Sequence, residues 1–334
     1  MKAAVFHGPG DVRVEEVASP ELKSGDALLR IRACGICGSD LHTYRHGMFE
    51  DLGMPIETGR IMGHEFSGEV VEINGDISGI RIGDRVCAVS MGGNAEFARI
   101  PGRGMPMTPI PDGVSFEEAA TVEPLATSHH AVNLAGPSEG ETHVILGAGI
   151  IGLGVLQVLK ATANVKTVVV DLSDKRLDTA REQGADVIVN ASREDALEKV
   201  MELTGEEKMS FMTTTSTAKA DTVYDCAGLM KSFMGTPPIQ QAITMTKQNG
   251  KVVVVAIFEK FGEIDYNLMV RKGITIFGSW GWVVEEFRDS LGLIEAGKVD
   301  RMKLVSHQFP LDRAGEAYET QLKADDAVKV LIKP

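Results

Sequence analysis

The sequence has few cysteines and a shortage of positive charge. Its 334 residues include 4 cysteines, too few for a disulfide framework, and this favours a reducing compartment. Its 47 acidic and 34 basic residues give a formal net charge of −13. A chain this acidic is a poor partner for nucleic acid, or for an anionic membrane surface, over any broad area. We therefore expect neither partner.

Long apolar runs are also missing. The longest one, residues 144–159, is interrupted by glycines and by Gln157, whereas a bilayer span needs about 18–20 apolar residues. The opening residues 1–9 contain no apolar stretch of signal-peptide length. Together with the few cysteines, these features predict a cytoplasmic protein with no membrane segment.

The chain is long enough for two domains, and its pattern changes near residue 117. The first hundred residues are typical of short strands separated by glycine-containing turns, with strands predicted over 27–32 and 68–73. A turn that leads into another strand is predicted over 80–86. Between residues 117 and 134 the spacing of apolar residues becomes helical.

Buried strands then alternate with helices. Such strands, apolar throughout, indicate a parallel sheet covered on both faces. The predicted strands are 142–146, 165–170, 187–189, 222–225, 251–257 and 274–278, and helices are predicted at 150–160 and 175–183. The polar, threonine-rich segment 205–220 is predicted to be a surface loop or crossover. The strand-like stretch 327–332 does not continue the alternation. The fold class is therefore α/β.

A glycine-rich turn joins the first of these strands to the first helix. Gly147, Gly149 and Gly152 follow the pattern G-x-G-x-x-G, with Ile150 and Ile151 between the last two glycines. In this setting the glycines allow a tight turn, close approach of a pyrophosphate, and close packing of helix on strand. The helix N-terminus faces the phosphates. The turn therefore predicts a dinucleotide site.

Asp171 ends the next predicted strand, 22 residues after Gly149 (171 − 149). A carboxylate there accepts hydrogen bonds from the adenosine ribose hydroxyls and repels a 2′-phosphate, so NAD is favoured over NADP. Arg176 is a candidate for neutralising a cofactor phosphate or bordering the adenine, and a solvated helix charge is the alternative. The simpler interpretation of the whole turn is that it binds nothing and that Asp171 caps a helix.

Cys34 and Cys37 form a C-x-x-C pair with three interpretations. A redox pair should open a helix, and the glycines beside these cysteines fit that poorly. A four-thiolate structural zinc site needs a second pair, and only Cys87 and Cys226 remain. A catalytic zinc site needs three protein ligands and an open position, which Cys37, His64 and a carboxylate satisfy. We favour this last interpretation, with Cys34 as a small buried residue.

Two carboxylates are candidates for the third ligand. Glu65 follows His64 directly, and Glu123 lies far downstream, before a proline. Sequence spacing does not decide which of the two carboxylates is the ligand. Asp40 is a candidate partner for the ring of His64 through its free nitrogen. The alternative for Asp40 is an ordinary carboxylate at a helix N-terminus.

Six segments resemble the medium-chain, zinc-dependent alcohol dehydrogenase superfamily, above all its polyol branch of sorbitol, 2,3-butanediol and threonine dehydrogenases. The resemblance covers essentially the whole chain. The segments are residues 1–5 (MKAAV), 34–40 (CGICGSD), 63–68 (GHEFSG), 83–86 (GDRV), 123–126 (EPLA) and 147–152 (GAGIIG).

The resemblance implies a GroES-like, β-rich catalytic domain over residues 1–122 and 283–334, and a Rossmann doubly wound parallel sheet over 123–282. Cys37 and His64 match the catalytic zinc ligands of the family, and Glu65 and Glu123 match positions where polyol enzymes use a carboxylate. Ser39 and His42 match the hydroxyl and imidazole that carry the proton to solvent. The family also suggests a homodimer or homotetramer.

One departure from the family pattern is informative. Many members carry four closely spaced cysteines that bind a structural zinc. Here only residues 87–94, which contain a single cysteine, separate the Gly-Asp-Arg-Val segment from Ala95. We therefore expect one catalytic zinc per subunit and no structural zinc.

The predicted activity is zinc-dependent, NAD-linked interconversion of a secondary alcohol and its ketone by hydride transfer. The alcohol is expected to be a small diol, polyol or hydroxy-amino compound. Two alternatives are a zinc-free quinone or enone reductase of the same superfamily and a non-catalytic dinucleotide-binding protein.

Overall fold

The computed structural model describes residues 1–47, 56–102, 106–208, 216–323 and 325–334. The chain forms two compact units, one of Met1–Pro124 with Phe287–Pro334 and the other of Leu125–Glu286. No helix in the described ranges combines the length and the apolar character that crossing a bilayer requires.

The first unit is mainly antiparallel β-structure. Its strands are β1 (Lys2–Gly8), β2 (Asp11–Glu16), β3 (Asp26–Gly35), β4 (Arg60–Ile61), β5 (Glu65–Asn74), β6 (Arg85–Val89), β7 (Phe97–Ile100), β8 (Met107–Pro109), β17 (Val305–Pro310) and β18 (Lys329–Lys333). Its helices are α1 (Gly38–His46), α2 (Phe116–Ala119) and α10 (Ala314–Gln321), with short 3-10 turns at Met302–Leu304 and Leu311–Arg313. The larger sheet has the order β17-β18-β3-β5-β6-β8, with β7 also paired to β3, and the smaller has the order β2-β1-β4.

Alternating side chains along β3 and β5 build the core of this unit. Leu29, Ile31, Phe66 and Val70 are among its buried residues. Because side chains on a strand point to opposite faces in turn, one face of each strand fills the core. The strands predicted over 27–32 and 68–73 lie within β3 and β5.

The second unit is a parallel sheet with helices between its strands. Its elements are β9 (Thr142–Leu146), α4 (Ile150–Thr162), β10 (Lys166–Asp171), α5 (Asp174–Glu182), β11 (Val187–Asn190), α6 (Ala196–Thr204), β12 (Glu206–Lys208), β13 (Ser216–Ala218), β14 (Ala220–Asp225), α7 (Pro238–Met245), β15 (Thr246–Val254), α8 (Tyr266–Lys272) and β16 (Thr275–Gly278). Two further helices, α3 (Val122–Ala135) and α9 (Val284–Glu295), carry the chain across the two unit boundaries.

The sheet order of the second unit is β11-β10-β9-β14-β15-β16, and all these pairs are parallel. This is the 3-2-1-4-5-6 order of a doubly wound dinucleotide fold, which confirms the predicted fold class. Val144, Ile145 and Leu146 are all buried, so consecutive residues of β9 are covered on both faces. Such coverage explains why its strands are apolar throughout.

Two sequence predictions about secondary structure are wrong. The helical stretch 117–134 is interrupted: the capping box of Ser115 and Glu118 opens α2, which ends at Ala119, and Thr121 Oγ1 donates to the Glu118 carbonyl at 2.7 Å before α3 begins. The predicted loop 205–220 instead has a strand at each end, since β12 pairs with β13 in antiparallel register. Thr217 of β13 is fully buried, which explains its strand conformation. Residues 209–215 of that segment lie outside the described residues.

Candidate active site

Three side chains of the first unit that could ligate a metal ion come from the ends of two paired strands. Cys37 directly precedes α1, just after β3 ends, while His64 directly precedes β5 and Glu65 is its first residue. β3 and β5 are antiparallel, with Gly35 opposite Glu65. The end of one strand therefore lies beside the start of the other. Sheet register is the reason that residues 37, 64 and 65 meet.

One sulfur, one nitrogen and one carboxylate oxygen, from Cys37, His64 and Glu65, lie within 4.8 Å of one another. Glu65 is fully buried, and its Oε1 atom accepts no hydrogen bond from any described residue. A buried carboxylate oxygen without a donor is costly unless a cation or proton serves it. Thiolate, imidazole and carboxylate are the donor set that zinc takes, so these residues fit a zinc ion.

The other oxygen of Glu65 is held by a lysine from the last strand. Lys329 Nζ in β18 pairs with Glu65 Oε2 and also donates to the Ile36 carbonyl at 2.8 Å. Neither charged side chain is exposed. Gly35 makes room for the pair, because a Cβ there would lie 2.3 Å from Glu65 Oε2. Lys329 thus holds the Glu65 carboxylate in one rotation. In that rotation Oε1 has no hydrogen-bond donor among the described residues.

The electrostatics around Cys37 favour a bound cation. Burial raises the pKa of the Cys37 thiol, and the nearby charge of Glu65 raises it further. A thiol in this setting becomes a thiolate when a metal ion supplies the compensating positive charge. Burial also raises the pKa of Asp40, whose Oδ2 accepts the Cys37 N–H at 3.0 Å. Its Oδ1 lies 3.8 Å from His64 Nδ1, beyond hydrogen-bond distance.

The remaining residues predicted for this site lie near it. Glu123, the second residue of α3, lies outside the group of three donors, but its charge is one of those that raise the pKa of Cys37. Ser39 and His42 lie on α1, three residues apart and partly buried. Residues with this spacing share one face of a helix.

In the second unit, the turn between β9 and α4 has the geometry predicted for a dinucleotide cradle. Gly147 has a φ of +94°, and a Cβ there would lie 3.0 Å from the backbone of Ala227. A Cβ on Gly152 would lie 1.8 Å from the Gly147 carbonyl oxygen, so the helix approaches the turn as closely as backbone allows. In front of Gly149 the nearest atom is Arg176 Nη1, 4.0 Å from the Cβ position. That space fits a phosphate bounded by a guanidinium.

Asp171 ties the end of β10 to this turn. Its Oδ2 accepts the Ala148 N–H at 2.6 Å, and its Oδ1 accepts those of Leu172 and Ser173 at 2.8 and 2.9 Å. Ile150 and Ile151 are the first two residues of α4, and the Ile151 carbonyl accepts the Ser128 hydroxyl at 3.0 Å. The carboxylate is therefore placed beside the turn by backbone donors.

Sequence reasoning missed several residues that support these sites. Lys329 left a signal, since a lysine inside the apolar run 327–332 must be buried with a partner. Asn94 and Tyr318, which form a buried hydrogen bond at 2.8 Å, left none, because they are far apart in the chain. Asp225, at the end of β14, also left none. Its Oδ1 accepts the N–H groups of Ala227 and Gly228 at 3.2 and 3.1 Å, and burial raises its pKa to about 6.

Comparison with known proteins identifies the family of the chain. Residues 23–127 match the family described as "Alcohol dehydrogenase GroES-like domain", and residues 151–296 match "Zinc-binding dehydrogenase". The chain is 31% identical to (R,R)-butanediol dehydrogenase of Bacillus subtilis (strain 168), with 100% of both proteins covered. It is also 31% identical to sorbitol dehydrogenase of Bos taurus, and the alignment covers 98% of this chain and 95% of that protein.

Solved structures give the same result. The crystal structure of 2R,3R-butanediol dehydrogenase from Bacillus subtilis superposes with a TM-score of 0.83 at 30% identity, covering 100% of this chain and 99% of that one. These relatives do not favour the alternatives of a zinc-free reductase or a non-catalytic dinucleotide-binding protein. The family implies zinc and a nicotinamide dinucleotide. The chain belongs to the medium-chain, zinc-dependent alcohol dehydrogenase superfamily, in its polyol-dehydrogenase-like branch, and is an alcohol dehydrogenase of that type.

Proposed function

We propose that this enzyme interconverts a secondary alcohol and its ketone with NAD and one zinc ion per subunit. The observation that carries the proposal is the buried Oε1 atom of Glu65, which has no hydrogen-bond donor among the described residues and lies with Cys37 and His64 in one group of donors. No second group of three such side chains meets as closely in the described ranges. We assign one zinc ion per subunit because residues 87–94 contain a single cysteine.

Cys37, His64 and Glu65 would hold the zinc ion. We assign Glu65 rather than Glu123 as the third ligand, because Glu123 lies outside the group of donors. Bound zinc supplies a Lewis acid that lowers the pKa of an alcohol hydroxyl. Burial of Glu65 and half-burial of Cys37 and His64 limit the access of water to these side chains.

Ser39 and His42 would move the proton that the alcohol loses. Their spacing on α1 places both side chains along one face of the helix. In the proposed route the Ser39 hydroxyl accepts the proton while it passes its own proton on toward the His42 imidazole. The imidazole then gives a proton to solvent, as imidazoles do near neutral pH. Replacing His42 removes the exchange while leaving all three metal donors in place.

The glycine turn and Asp171 would bind the dinucleotide, whose nicotinamide supplies the hydride acceptor. The N-terminus of α4 and the space in front of Gly149 would receive the pyrophosphate, with Arg176 Nη1 4.0 Å from the Cβ position of Gly149. The Asp171 carboxylate stands where it would accept hydrogen bonds from the ribose and repel a 2′-phosphate. This arrangement favours NAD over NADP.

The substrate class follows from the relatives. Butanediol and sorbitol each carry neighbouring hydroxyls, and relatives named for those compounds match this chain along its whole length. We therefore assign a small vicinal diol, polyol or hydroxy-amino compound as the substrate.

The test measures zinc per chain, then NAD reduction with 2,3-butanediol, sorbitol, threonine and simple secondary alcohols. We expect about one zinc and turnover with at least one compound. In C37S we expect loss of zinc and at least about a thousandfold loss of turnover, with NAD binding unchanged. C87S is the matched control, since a serine there keeps the hydrogen bond to the Thr108 carbonyl. Full activity in metal-free C37S would refute the assignment.

The edge of the parallel sheet suggests how subunits assemble. Among the described residues β16 pairs only with β15, and its Ile276 is exposed, as are Tyr266 and Val270 of the neighbouring α8. An open edge strand with apolar side chains pairs readily with a second copy across a twofold axis. We therefore favour a homodimer, and light scattering of the native protein distinguishes it from a tetramer. Cytoplasmic location stays a prediction that cell fractionation tests.

A further inference from the structure

We propose that Asn94 and Tyr318 form a buried brace that holds the segment carrying His64 and Glu65 against α1, and so controls retention of the metal. The inference rests on the proposed zinc site. It concerns the short loop that stands between β6 and β7, where a cysteine-rich lobe is missing from the sequence.

The loop pairs with the backbone just before the metal donors. Gly93 N–H donates to the Gly63 carbonyl at 2.9 Å, and Asn94 N–H donates to the Met62 carbonyl at 3.0 Å. Gly63 has a φ of +85°, and a Cβ there would lie 2.7 Å from Asn94 Oδ1. The Asn94 amide therefore sits directly against the residue that precedes His64.

Tyr318 connects this amide to the other donor-bearing segment. Asn94 and Tyr318 are both fully buried, and Asn94 Nδ2 donates to the Tyr318 hydroxyl at 2.8 Å. The Tyr318 ring packs against the ring of Tyr44 with centroids 5.3 Å apart. Tyr44 lies on α1, the helix that begins beside Cys37. Tyr318 of α10 thus contacts α1 directly and the segment before His64 through Asn94.

The surroundings of Tyr318 keep its hydroxyl a neutral hydrogen-bonding group. Burial raises its pKa, and the charges of Asp40, Cys34 and Cys37 raise it further.

Removing the hydroxyl affects Asn94 first. Its Oδ1 atom has no partner among the described residues, and loss of the Tyr318 hydroxyl would leave Nδ2 unpaired as well. A fully buried amide with no hydrogen bonds is unfavourable, so the loop is expected to shift and Gly63 to move with it. Outer groups that orient metal ligands typically change metal affinity by about 10- to 100-fold when removed.

The experiment follows zinc transfer from the native enzyme to excess chromogenic chelator. We expect Y318F to release zinc about 10- to 100-fold faster than the wild type, and to alter the absorption spectrum of the cobalt-substituted protein. Y224F is the matched control, because it removes a buried hydroxyl that pairs with His143 at 3.1 Å in the other unit. It should release zinc at the wild-type rate even if it lowers the thermal midpoint equally.

A second variant, N94L, removes the same hydrogen bond from the other side and covers the case in which Y318F does not fold. Zinc release at the wild-type rate with an unchanged cobalt spectrum, in whichever of these variants folds, would overturn the brace while leaving the zinc site intact. A wild-type chain that retains no zinc would overturn the proposed function and the brace together. Faster release in either variant, with Y224F unchanged, supports the brace.

Discussion

The proposed metal site of the first unit and the proposed dinucleotide turn of the second are built in different ways. Glu65 is paired with a lysine 264 residues away, and Asn94 with a tyrosine 224 residues away. The dinucleotide turn spans six residues, and its carboxylate partner, Asp171, is 23 residues from Ala148. One site needs the two ends of the chain to meet, whereas the other needs only neighbouring strands.

The two sites also handle charge differently. Glu65 and Lys329 form an ion pair with no exposure to solvent, so each stabilises a charge that would otherwise be buried alone. Asp171 is partly exposed and is satisfied by backbone N–H groups. The metal site should therefore depend on a distant side chain, and the dinucleotide site on local backbone.

The largest expected effect comes from breaking the distant pair. K329M leaves the Glu65 carboxylate buried without its cation, and such losses cost about 3–5 kcal/mol. We expect a fall of that size in the free energy of unfolding, measured by denaturant titration in the presence of a metal chelator. Zinc should restore more stability to the variant than to the wild type, because in the variant the metal ion replaces the counter-charge that Lys329 supplied to Glu65.

K333M is the matched control for this prediction. Lys333 lies on the same strand and pairs with Glu117, but its side chain is 42% exposed, so its loss should cost less than about 1 kcal/mol. Equal effects of K329M and K333M would show that the buried pair contributes no more than a surface one.

A smaller effect is expected at the local site. An asparagine at position 171 cannot accept hydrogen bonds on both side-chain atoms, and it lacks the charge that disfavours a 2′-phosphate. We expect D171N to bind NAD about tenfold more weakly, about 1.4 kcal/mol, and to lose much of its preference over NADP, measured by fluorescence titration of both cofactors. D174N removes an exposed carboxylate from the start of α5 and should leave both affinities unchanged. Unaltered cofactor preference in D171N would remove Asp171 from the site.

This contrast also explains how much the sequence could predict. The strand 142–146 and the start of α4 at residue 150 were predicted where the structure has them, because buried parallel strands are continuous apolar runs and the glycine turn is local. Cys37, His64 and Glu65 could be recognised as donors, but the sequence could not choose between Glu65 and Glu123. That choice depends on the register of β3 and β5. Contacts such as Asn94 with Tyr318 have no local pattern.

Asp225 shows that the dinucleotide turn also has one buried support. Its Oδ1 holds the N–H groups of Ala227 and Gly228, and the backbone of Ala227 packs against Gly147. Burial raises its pKa from 3.8 to about 6. At a pH between these two pKa values, Asp225 keeps a proton in the folded state that it has lost in the unfolded state. Stability from this group is therefore complete below about pH 4 and falls as the pH rises toward 6.

We therefore expect D225N to be more stable than the wild type at pH 7, and to lose that advantage as the pH falls toward 4. The pKa shift allows at most about 3 kcal/mol, and the new buried amide offsets part of it, so a gain of about 1 kcal/mol is expected at pH 7.

D186N should behave oppositely. Burial acts to raise the pKa of Asp186, but hydrogen bonds from Lys160 and Thr167 outweigh it and lower the pKa. D186N should thus lose stability at pH 7 and not at low pH. Denaturant titrations of both variants from about pH 2 to pH 8 test this, because the contribution of Asp186 is lost only below pH 3.8. A destabilised D225N at pH 7 would mean that the ionised carboxylate itself holds the turn.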